Sequence, residues 1–277
     1  MANFDFDVVV KIGSMALIRK EDNDLNYNIF SRLASELKPG YILVSSGATE
    51  IGRIDYMKRH GGAELKGDIE EIKSDYASQG QPILMSMYRN YINPQYSVRQ
   101  VLVEHSHFND EQKSQHIKKL LFRAANQNAI PIINYNDAVS DKENRNLELH
   151  DLKNSKEKVV ECVDNDETAA VIANLVGAQL LVLLTSVEGI YLDPSDPSTL
   201  VERISGASYE DMEKQIDKLM ENCHGSSRVG TAGAKAKLKF AKESLKKGTK
   251  VIIAHARHRL SDIIEGKVKC TVMEIEK

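Results

Sequence analysis

The chain has 277 residues, of which 42% are hydrophobic and 28% charged, and its formal net charge at pH 7 is -3. This composition is typical of a globular protein with a substantial core, and the mild negative charge argues against a nucleic-acid-binding surface. Three widely spaced cysteines, Cys162, Cys223 and Cys270, match neither a zinc site nor a disulfide framework, which favours reduced thiols in a cytoplasm.

Short apolar runs alternate with longer helical patterns. Most runs are continuously apolar, which is typical of parallel strands that are covered on both faces, and the alternation predicts a layered α/β fold. The runs predict strands at Phe6–Ile12, Tyr41–Ser45, Val98–Val103, Ile130–Asn134, Leu180–Leu184, Val251–Ala254 and Thr271–Ile275. The segments between them predict helices at Asn26–Leu37, Asp68–Asn90, Asp110–Asn128, Glu167–Val176, Tyr209–Asn222 and Ala232–Lys247.

Three further segments indicate where the lobes meet and whether the chain carries a membrane span or a signal peptide. The polar segment Ser140–Lys158 predicts an exposed loop or hairpin near a lobe boundary. The apolar run Thr168–Leu184 is divided at Gly177 into a helix and a strand, so no membrane span is expected. The first ten residues carry two aspartates and no basic segment, so no signal peptide is expected either.

The first candidate site follows the first strand, where Val8–Val10 leads into Lys11-Ile12-Gly13-Ser14. A strand that ends in a small-residue turn offers backbone N–H groups to a phosphate, and the lysine adds a full positive charge. Many strands end in this way, so the pattern is a weak indication by itself.

Two other strand ends carry short polar side chains. The segment Val44–Ala48 offers hydroxyl and amide groups to an anion or a substrate carboxylate, although a tight turn before a helix also explains it. Residues Asn134–Asp137 follow a buried strand, at the position where open α/β sheets bind ligands, with an Asx turn as the alternative.

The segment Asp164–Glu167 begins an apolar helix. An N-cap with acidic first-turn residues explains one aspartate. Two aspartates packed with Asn165 need a cation to offset their repulsion, either a Mg²⁺-nucleotide or a pair of lysines.

The segment Gly225–Lys237, GSSRVGTAGAKAK, lacks the ending of a Walker loop but predicts a flexible loop over phosphates, or else a mobile surface loop beside a basic helix. Thr185 and Ser186 at a strand end are candidates to line a nucleotide pocket. No Ser-His-Asp or Cys-His triad and no histidine spacing typical of a metal site is present.

The ordered set of motifs resembles the amino acid kinase family, and within it the members that phosphorylate glutamate. The resemblance covers almost the whole chain through VVVKIGS, VSSGATEIGR, IPIINYNDAV, VDNDETAAVIANLVGAQLLVLLT, GIYLDP, GTAGAKAKLKFA and KVIIA. It implies a single domain folded as a three-layer αβα sandwich with a mainly parallel central sheet, similar to carbamate kinase. The implied lobes are an acceptor-binding lobe at about 1–160 and a nucleotide-binding lobe at about 161–277.

The resemblance also implies site residues. The catalytic set would be Lys11, Asp166 and Lys237, with the aspartate orienting both lysines. The nucleotide and its phosphates would contact Gly13, Ser14, Thr185, Ser186, Gly230, Thr231, Ala232 and Gly233. The acceptor would contact Ser46, Gly47, Ala48, Asp137 and Asn165.

The activity implied is ATP-dependent phosphorylation of the glutamate side-chain carboxylate, the reaction that opens proline synthesis. Mg²⁺ would be held through the ATP phosphates and not by protein side chains. The resemblance further implies a cytoplasmic dimer or tetramer, with neither nucleic acid nor membrane as a partner. The RNA-modification-type domain that bacterial relatives often carry is not expected here, because the sequence ends too early for it.

Three departures from the family pattern keep alternatives open. Tyr135 stands where Glu is usual, Ser186 where Asp is usual, and Ala232 where Gly is usual. The alternatives are another acceptor in the same family, such as aspartate, a nucleoside monophosphate or another small acid, and a catalytically silent nucleotide-binding regulator.

Overall fold

A computed structural model of the chain describes residues 6–156, 158–162, 165–193, 195–222 and 232–276. These residues adopt the predicted fold class, a three-layer αβα sandwich with a mainly parallel central sheet. The chain divides into two compact units. Unit 1 comprises Met1–Ile12, Gly40–Val44 and Asp166–Lys277, and unit 2 comprises Gly13–Pro39 and Ser45–Asn165.

The described strands are β1 (Phe6–Ile12), β2 (Ile18–Arg19), β3 (Asp24–Leu25), β4 (Tyr41–Ser45), β5 (Ser97–Val103), β6 (Ala129–Tyr135), β7 (Ala178–Thr185), β8 (Arg203–Gly206), β9 (Lys250–His255) and β10 (Thr271–Ile275). The described helices are α1 (Tyr27–Glu36), α2 (Ala48–Arg59), α3 (Ile69–Tyr91), α4 (His105–Asn109), α5 (Glu111–Ala125), α6 (Lys142–Ser155), α7 (Asn165–Val176), α8 (Tyr209–Asn222), α9 (Ala232–Leu245) and α10 (Leu260–Ile264).

In unit 1 the strands follow the order β4-β1-β7-β9-β10-β8. Strand β1 pairs parallel with β7, with Lys11 opposite Leu183, and β7 pairs parallel with β9, with Thr185 opposite His255. Strand β10 pairs parallel with β8 and antiparallel with β9. The carboxyl ends of β1, β7 and β9 therefore meet at one edge of the sheet, where an open α/β sheet binds ligands.

In unit 2, strands β5 and β6 pair in parallel from Ser97 opposite Ala129 to Val103 opposite Tyr135. Helices α2 and α3 cross with their backbones in contact. A Cβ atom on Gly52 would lie 1.8 Å from the Tyr76 carbonyl oxygen. A Cβ atom on Gly80 would lie 1.8 Å from the carbonyl oxygen of Ala48. Only glycine permits this close approach, which holds the first turn of α2 against α3.

All of the predicted strands and helices are present within the described ranges, with ends that differ by a few residues. The continuous apolar pattern of the predicted strands arises from burial, since Val9, Val10 and Leu181 are 0% exposed. The predicted division at Gly177 is also present, because this residue has φ +63° and separates α7 from β7.

The prediction of a loop or hairpin at Ser140–Lys158 is wrong, because Lys142–Ser155 forms helix α6. The Asp141 side chain accepts a hydrogen bond from the Asn144 N–H at 2.7 Å and caps the helix. Leu149 is the residue of α6 that becomes buried, and Glu148 contacts His105. Tertiary contacts therefore stabilise a helix whose sequence has little apolar periodicity.

No helix in the described part of the chain is long and apolar enough to cross a membrane.

Candidate active site

In unit 1, one buried carboxylate joins two lysines from different elements. The Lys11 Nζ atom lies 2.7 Å from Asp166 Oδ1, and the Lys237 Nζ atom lies 2.7 Å from Asp166 Oδ2. The side chains of Lys11, Asp166 and Lys237 are 8%, 1% and 15% exposed. Each carboxylate oxygen thus holds one ammonium group away from bulk water, and the cluster carries a net charge of about +1.

Three elements bring these groups together. Lys11 is the next-to-last residue of β1, Asp166 lies in the first turn of α7, and Lys237 lies in the second turn of α9. The N-terminus of α7 favours a negative charge because of the helix dipole. The three residues named from the sequence are therefore in direct contact, while their catalytic roles stay predictions.

The charge state of Asp166 follows from its surroundings. Burial raises the pKa of its carboxyl group, but the nearby Lys11 and Lys237 ammonium groups lower it by more, so that the pKa lies below its ordinary value. Asp166 is therefore ionised at neutral pH and holds both lysine ammonium groups in place. Such preorganised cations suit an anionic group whose charge grows during a reaction.

The candidate nucleotide residues lie at the carboxyl end of β7 and at the start of α9. Thr185 ends β7, its carbonyl oxygen accepts a hydrogen bond from the Ala256 N–H at 2.8 Å, and the following Ser186 is exposed. Helix α9 begins at Ala232. A Cβ atom on Gly233 would lie 3.4 Å from the Lys237 Nζ atom, so the glycine leaves room beside this ammonium group. Gly230 and Thr231 lie outside the described residues, as does Asp164.

In unit 2, a buried set of amide and hydroxyl groups surrounds Asn165. Its Nδ2 atom donates to Ser46 Oγ at 2.8 Å and to Asn134 Oδ1 at 3.4 Å. Asn134 Nδ2 in turn donates to Gln81 Oε1 at 2.9 Å. Among the described residues, the buried Asn165 Oδ1 and Gln81 Nε2 atoms have no hydrogen-bond partner. One acceptor and one donor thus remain available to a polar ligand.

The preceding residue, Ser45, holds the backbone of Ser46 in place. The Ser45 hydroxyl donates to the Ser46 carbonyl oxygen at 3.0 Å and lies 2.7 Å from the hydroxyl of Tyr88, which is fully buried. Burial raises the pKa of the Tyr88 hydroxyl group, so this group stays protonated and can donate. Within unit 2, this contact links the residue before Ser46 to helix α3.

Four further residues named from the sequence lie in the turns that follow β4 and β1: Gly47, Ala48, Gly13 and Ser14. Gly47 is the N-cap of α2 with φ +111°, and a Cβ atom there would lie 3.1 Å from Leu17 Cδ1. Ala48 is the buried first residue of α2. Gly13 is the N-cap of the 3₁₀ turn Ser14–Ala16, which directly follows β1. Both turns are formed by residues with short side chains, as the sequence pattern predicts.

Asp137 lies two residues after β6 and is half-buried. Burial raises the pKa of its carboxyl group, and the positive charges of Arg145 and Lys73 oppose this increase without cancelling it. Its backbone carbonyl accepts a hydrogen bond from the Ser74 hydroxyl at 3.3 Å. Asp137 therefore lies beside α3 and α6, and not only at the end of its own strand.

Sequence reasoning missed the contributions of Gln81, Lys73 and Arg145. Gln81 and Lys73 lie inside a long helical pattern, where a polar residue indicates only a solvated face. Arg145 lies in the segment predicted to be a loop. No local signal in the sequence distinguishes these three residues from surface residues.

The side chains of the described residues can be examined as possible ligands of a magnesium ion. They contain no group of three or more His, Cys, Asp or Glu side chains that could hold a metal ion. Both carboxylate oxygens of Asp166 face lysine ammonium groups. This arrangement fits a metal that arrives bound to the nucleotide phosphates better than one that Asp166 holds.

The αβα fold and the buried lysine–aspartate–lysine cluster define a class of α/β proteins with a site suited to anionic groups such as phosphates. The particular family follows from comparison with known sequences: residues 8–255 match the sequence model of the amino acid kinase family, and the chain belongs to that family.

Several similar curated proteins are named glutamate 5-kinase. The chain is 29% identical to a glutamate 5-kinase of Alkaliphilus metalliredigens, over 98% of this chain and 96% of that protein. It is also 29% identical to the glutamate 5-kinase of Clostridium perfringens, over 94% of this chain and 92% of that protein. The match to a glutamate 5-kinase of Thermoanaerobacter sp. is again 29% identical and covers 98% of this chain but 68% of that protein.

Solved structures of other kinases share the fold. Carbamate kinase from Giardia lamblia bound to AMP-PNP superposes with a TM-score of 0.59 at 14% identity, over 100% of both chains. UMP kinase from Ureaplasma parvum superposes with a TM-score of 0.55 at 14% identity, over 98% of this chain and 99% of that one. At these identities the likeness concerns the fold.

Proposed function

We propose that this protein is an ATP-dependent kinase that phosphorylates the side-chain carboxylate of glutamate. The observation that carries the phosphoryl-transfer chemistry is the buried contact of Asp166 with both Lys11 and Lys237. The choice of glutamate is supported by relatives of that name, which align with almost the whole chain.

In the proposed reaction a carboxylate oxygen of glutamate attacks the γ-phosphorus of ATP. A new oxygen–phosphorus bond forms, the bond from the γ-phosphorus to the β,γ-bridging oxygen breaks, and the electron pair leaves with ADP. The acceptor carboxylate is already ionised at neutral pH, so no general base is needed. The product is an acyl phosphate, whose reduction would open proline synthesis.

The two lysines would supply most of the catalysis. Phosphoryl transfer depends on positioning and charge neutralisation more than on covalent participation of the protein. A lysine ammonium group about 4 Å from the migrating group contributes about 4 kcal/mol at an effective dielectric constant near 20. Mg²⁺ on the nucleotide phosphates would neutralise further negative charge when bound. In this proposal Lys11 and Lys237 act on the phosphoryl group, and Asp166 holds both in position.

Other residues would bind the two substrates. The nucleotide would contact Gly13, Ser14, Thr185, Ser186 and the segment Gly230–Gly233. The acceptor would contact Ser46, Gly47, Ala48, Asp137 and Asn165. Asn165 and Asp166 are consecutive residues, so one peptide bond joins the proposed acceptor-binding and phosphoryl-binding groups. An assembly of two or four chains in the cytoplasm is part of the same proposal.

The test is an assay of ADP release with a panel of acceptors. The protein is incubated with ATP, Mg²⁺ and glutamate, aspartate or UMP, and hydroxylamine traps any acyl phosphate as a hydroxamate. We expect ADP release and hydroxamate with glutamate. Asp166→Asn serves as the inactive control.

A different outcome would identify one of the alternatives. Tyr135, with its ring beside Arg145, is the observation that favours another acceptor. Turnover with aspartate or UMP alone would replace glutamate with that acceptor. Nucleotide binding without turnover on any acceptor would indicate a catalytically silent regulator.

A further inference from the structure

Helices α7 and α9 of unit 1 are joined at two places. Near their N-terminal ends Lys237 pairs with Asp166, and near their C-terminal ends the Asn174 Nδ2 atom donates a 3.2 Å hydrogen bond to the Glu243 carbonyl oxygen. The two contacts occur in the same order along both helices, which therefore run in the same direction. They are eight residues apart on α7 and six apart on α9, or about 12 and 9 Å along the helix axes.

The two contacts differ in stiffness. Side chains of a helix point toward its N-terminus, and the flexible four-carbon stem of Lys237 still reaches Asp166 when α9 is somewhat displaced. The Asn174 side chain is short and donates directly to the backbone of α9. The short contact therefore determines how the end of α9 lies against α7, and the lysine follows the helix.

A second short contact holds the same end of α9. Thr249 follows α9, is 2% exposed, and donates through its hydroxyl group to the Ala178 carbonyl oxygen at 2.8 Å. Its backbone N–H donates to the Ser244 carbonyl oxygen in the last turn of α9 at 3.1 Å. Ala178 begins β7, and Gly177 with φ +63° separates it from α7. The side-chain contacts of Asn174 and Thr249 together form the α9 anchor, which ties the end of α9 to the junction of α7 and β7.

The polar side chain of Asn174 carries a cost that points to a role. Its neighbours Ile172, Ala173 and Val176 in α7 are buried apolar residues. Asn174 itself is half-buried, and among the described residues its buried Oδ1 atom has no hydrogen-bond partner. A buried acceptor without a partner costs free energy that an apolar side chain of similar size, such as leucine, would avoid. The contact of its Nδ2 atom with α9 is what asparagine adds at this position.

We propose that Asn174 and Thr249 are positioning residues, which hold the end of α9 in place so that Lys237 stays against Asp166. The consequence for catalysis rests on the proposed function, in which Lys237 acts on the phosphoryl group. A misplacement of about 1 Å can lower the rate of a reaction by about 100-fold. Contacts at the far end of a helix therefore matter to a lysine near its beginning. Neither residue is among the acceptor or nucleotide contacts named above.

The test uses substitutions that remove one donor and keep the approximate size of the side chain. Asn174→Leu and Thr249→Val each delete one contact of the α9 anchor. Gln215→Leu is the matched control, because it deletes a 2.8 Å hydrogen bond from an amide to the Ser205 carbonyl oxygen, between α8 and β8 of the same unit. Thr249→Ser keeps the hydroxyl group and should retain the properties of the wild type.

Steady-state kinetics with ATP and glutamate separate positioning from stability. We expect Asn174→Leu and Thr249→Val to lower kcat by about tenfold and to change either KM by less than about twofold, because Lys237 is proposed to act in the transition state. Gln215→Leu should keep the wild-type kcat. The midpoint of urea denaturation of Asn174→Leu should stay close to that of the wild type, since this variant also removes the unpaired oxygen.

A double-mutant cycle identifies the residue through which the α9 anchor acts. In the Lys237→Met background, Asn174→Leu should lower kcat no further, because the lysine that it misplaces is already absent. Losses that multiply in the double variant would show that Asn174 supports the fold in general, and the proposal would be overturned.

A second measurement does not depend on turnover. Mass spectrometry follows the acetylation of individual lysines by acetic anhydride, and the Lys237 and Lys11 side chains are 15% and 8% exposed in the wild type. Lys237 should react at least about threefold faster in Asn174→Leu and Thr249→Val, while Lys11 stays protected. Gln215→Leu should leave both rates unchanged. Equal increases at the two lysines would indicate general unfolding and would overturn the proposal.

The outcomes separate this proposal from the proposed function. Normal kcat and normal acetylation in both anchor variants would overturn the anchoring and leave the kinase function in place. If the wild-type protein turns over no acceptor, the proposed function fails, and faster acetylation of Lys237 still supports the α9 anchor. If Asn174→Leu does not fold, Thr249→Val and Thr249→Ser provide the same comparison.

Discussion

Asp166 Oδ2 accepts a 2.7 Å hydrogen bond from the Nζ atom of Lys237, which lies 71 residues further along the chain. The other oxygen of the same carboxylate lies 2.7 Å from Lys11 Nζ. A single acid thus fixes two cations that would otherwise repel each other in a buried place. This relationship makes the three residues interdependent, and it leads to the first two predictions.

Asp166→Asn should reduce both stability and turnover. The neutral amide leaves two buried ammonium groups without their counter-ion, and removing one partner of a buried ion pair costs about 3–5 kcal/mol. The folded-state pKa of Asp166 lies below its unfolded value of about 3.9, so its stabilisation is present above that value and is lost as the pH falls through the folded pKa. Urea denaturation at pH 7 should therefore give a much lower free energy of unfolding for the variant than for the wild type. This difference should become smaller in strong acid. A difference that persists unchanged in acid would contradict this electrostatic account.

Lys237→Met should lower turnover by about 10²-fold or more while the protein still folds. The side chain keeps its length but loses the positive charge proposed to act on the phosphoryl group. The matched control is Lys239→Met, which removes the same charge from an exposed position of the same helix. Steady-state kinetics should show normal turnover for the control. Equal losses in the two variants would mean that α9 contributes only its general positive charge.

Asp137→Asn should stabilise the protein at neutral pH and weaken acceptor binding. The folded-state pKa of Asp137 lies above its unfolded value of about 3.9, so the carboxyl group favours folding only at low pH and loses this contribution as the pH rises through the folded pKa. Denaturation at pH 7 should give a higher free energy of unfolding for the variant, and the difference should vanish or reverse below about pH 4. The KM for the acceptor should rise. A variant that is less stable than the wild type at pH 7 would refute the argument.

Gly52→Ala should disrupt the crossing of α2 and α3. The new Cβ atom would lie 1.8 Å from the Tyr76 carbonyl oxygen, and backbone atoms cannot yield as a flexible side chain can. We expect a loss of about 3 kcal/mol or more in the free energy of unfolding, measured by urea denaturation. Arg59→Ala, on the exposed end of α2, removes only a surface ion pair and should cost less than about 1 kcal/mol. A mild effect of Gly52→Ala would show that the helices can separate.

Sequence patterns predicted most of the fold because strands that are buried on both faces of a sheet consist of continuous apolar residues. The strands of the sheet are continuous apolar runs, and Val9 and Leu181 show why, since both are fully buried. The candidate residues Lys11, Asp166 and Ser46 were also visible from the sequence, because each lies at or beside an element end that is marked by small or polar residues. Their position at element ends is a local property.

Helices α2 and α6 are not among the helices predicted from the sequence. Within α2, the crossing with α3 requires glycine at Gly52, because a Cβ atom there would collide with the Tyr76 carbonyl oxygen. Helix α6 is polar along most of its length and buries Leu149 alone, so its formation depends on capping by Asp141 and on packing against other elements. Neither requirement can be read from a window of neighbouring residues.

The sequence by itself determined the layered α/β fold, the apolar strands and the identity of the chemical groups at their ends. Only the tertiary structure decided that Asp166 binds both lysines, that Gln81 completes the amide network around Asn134, and that Arg145 lies beside Tyr135. The physical reason is the separation along the chain over which each effect acts. Propensity and burial act over a few residues, whereas these contacts join side chains that are far apart in sequence and meet only after the chain has packed.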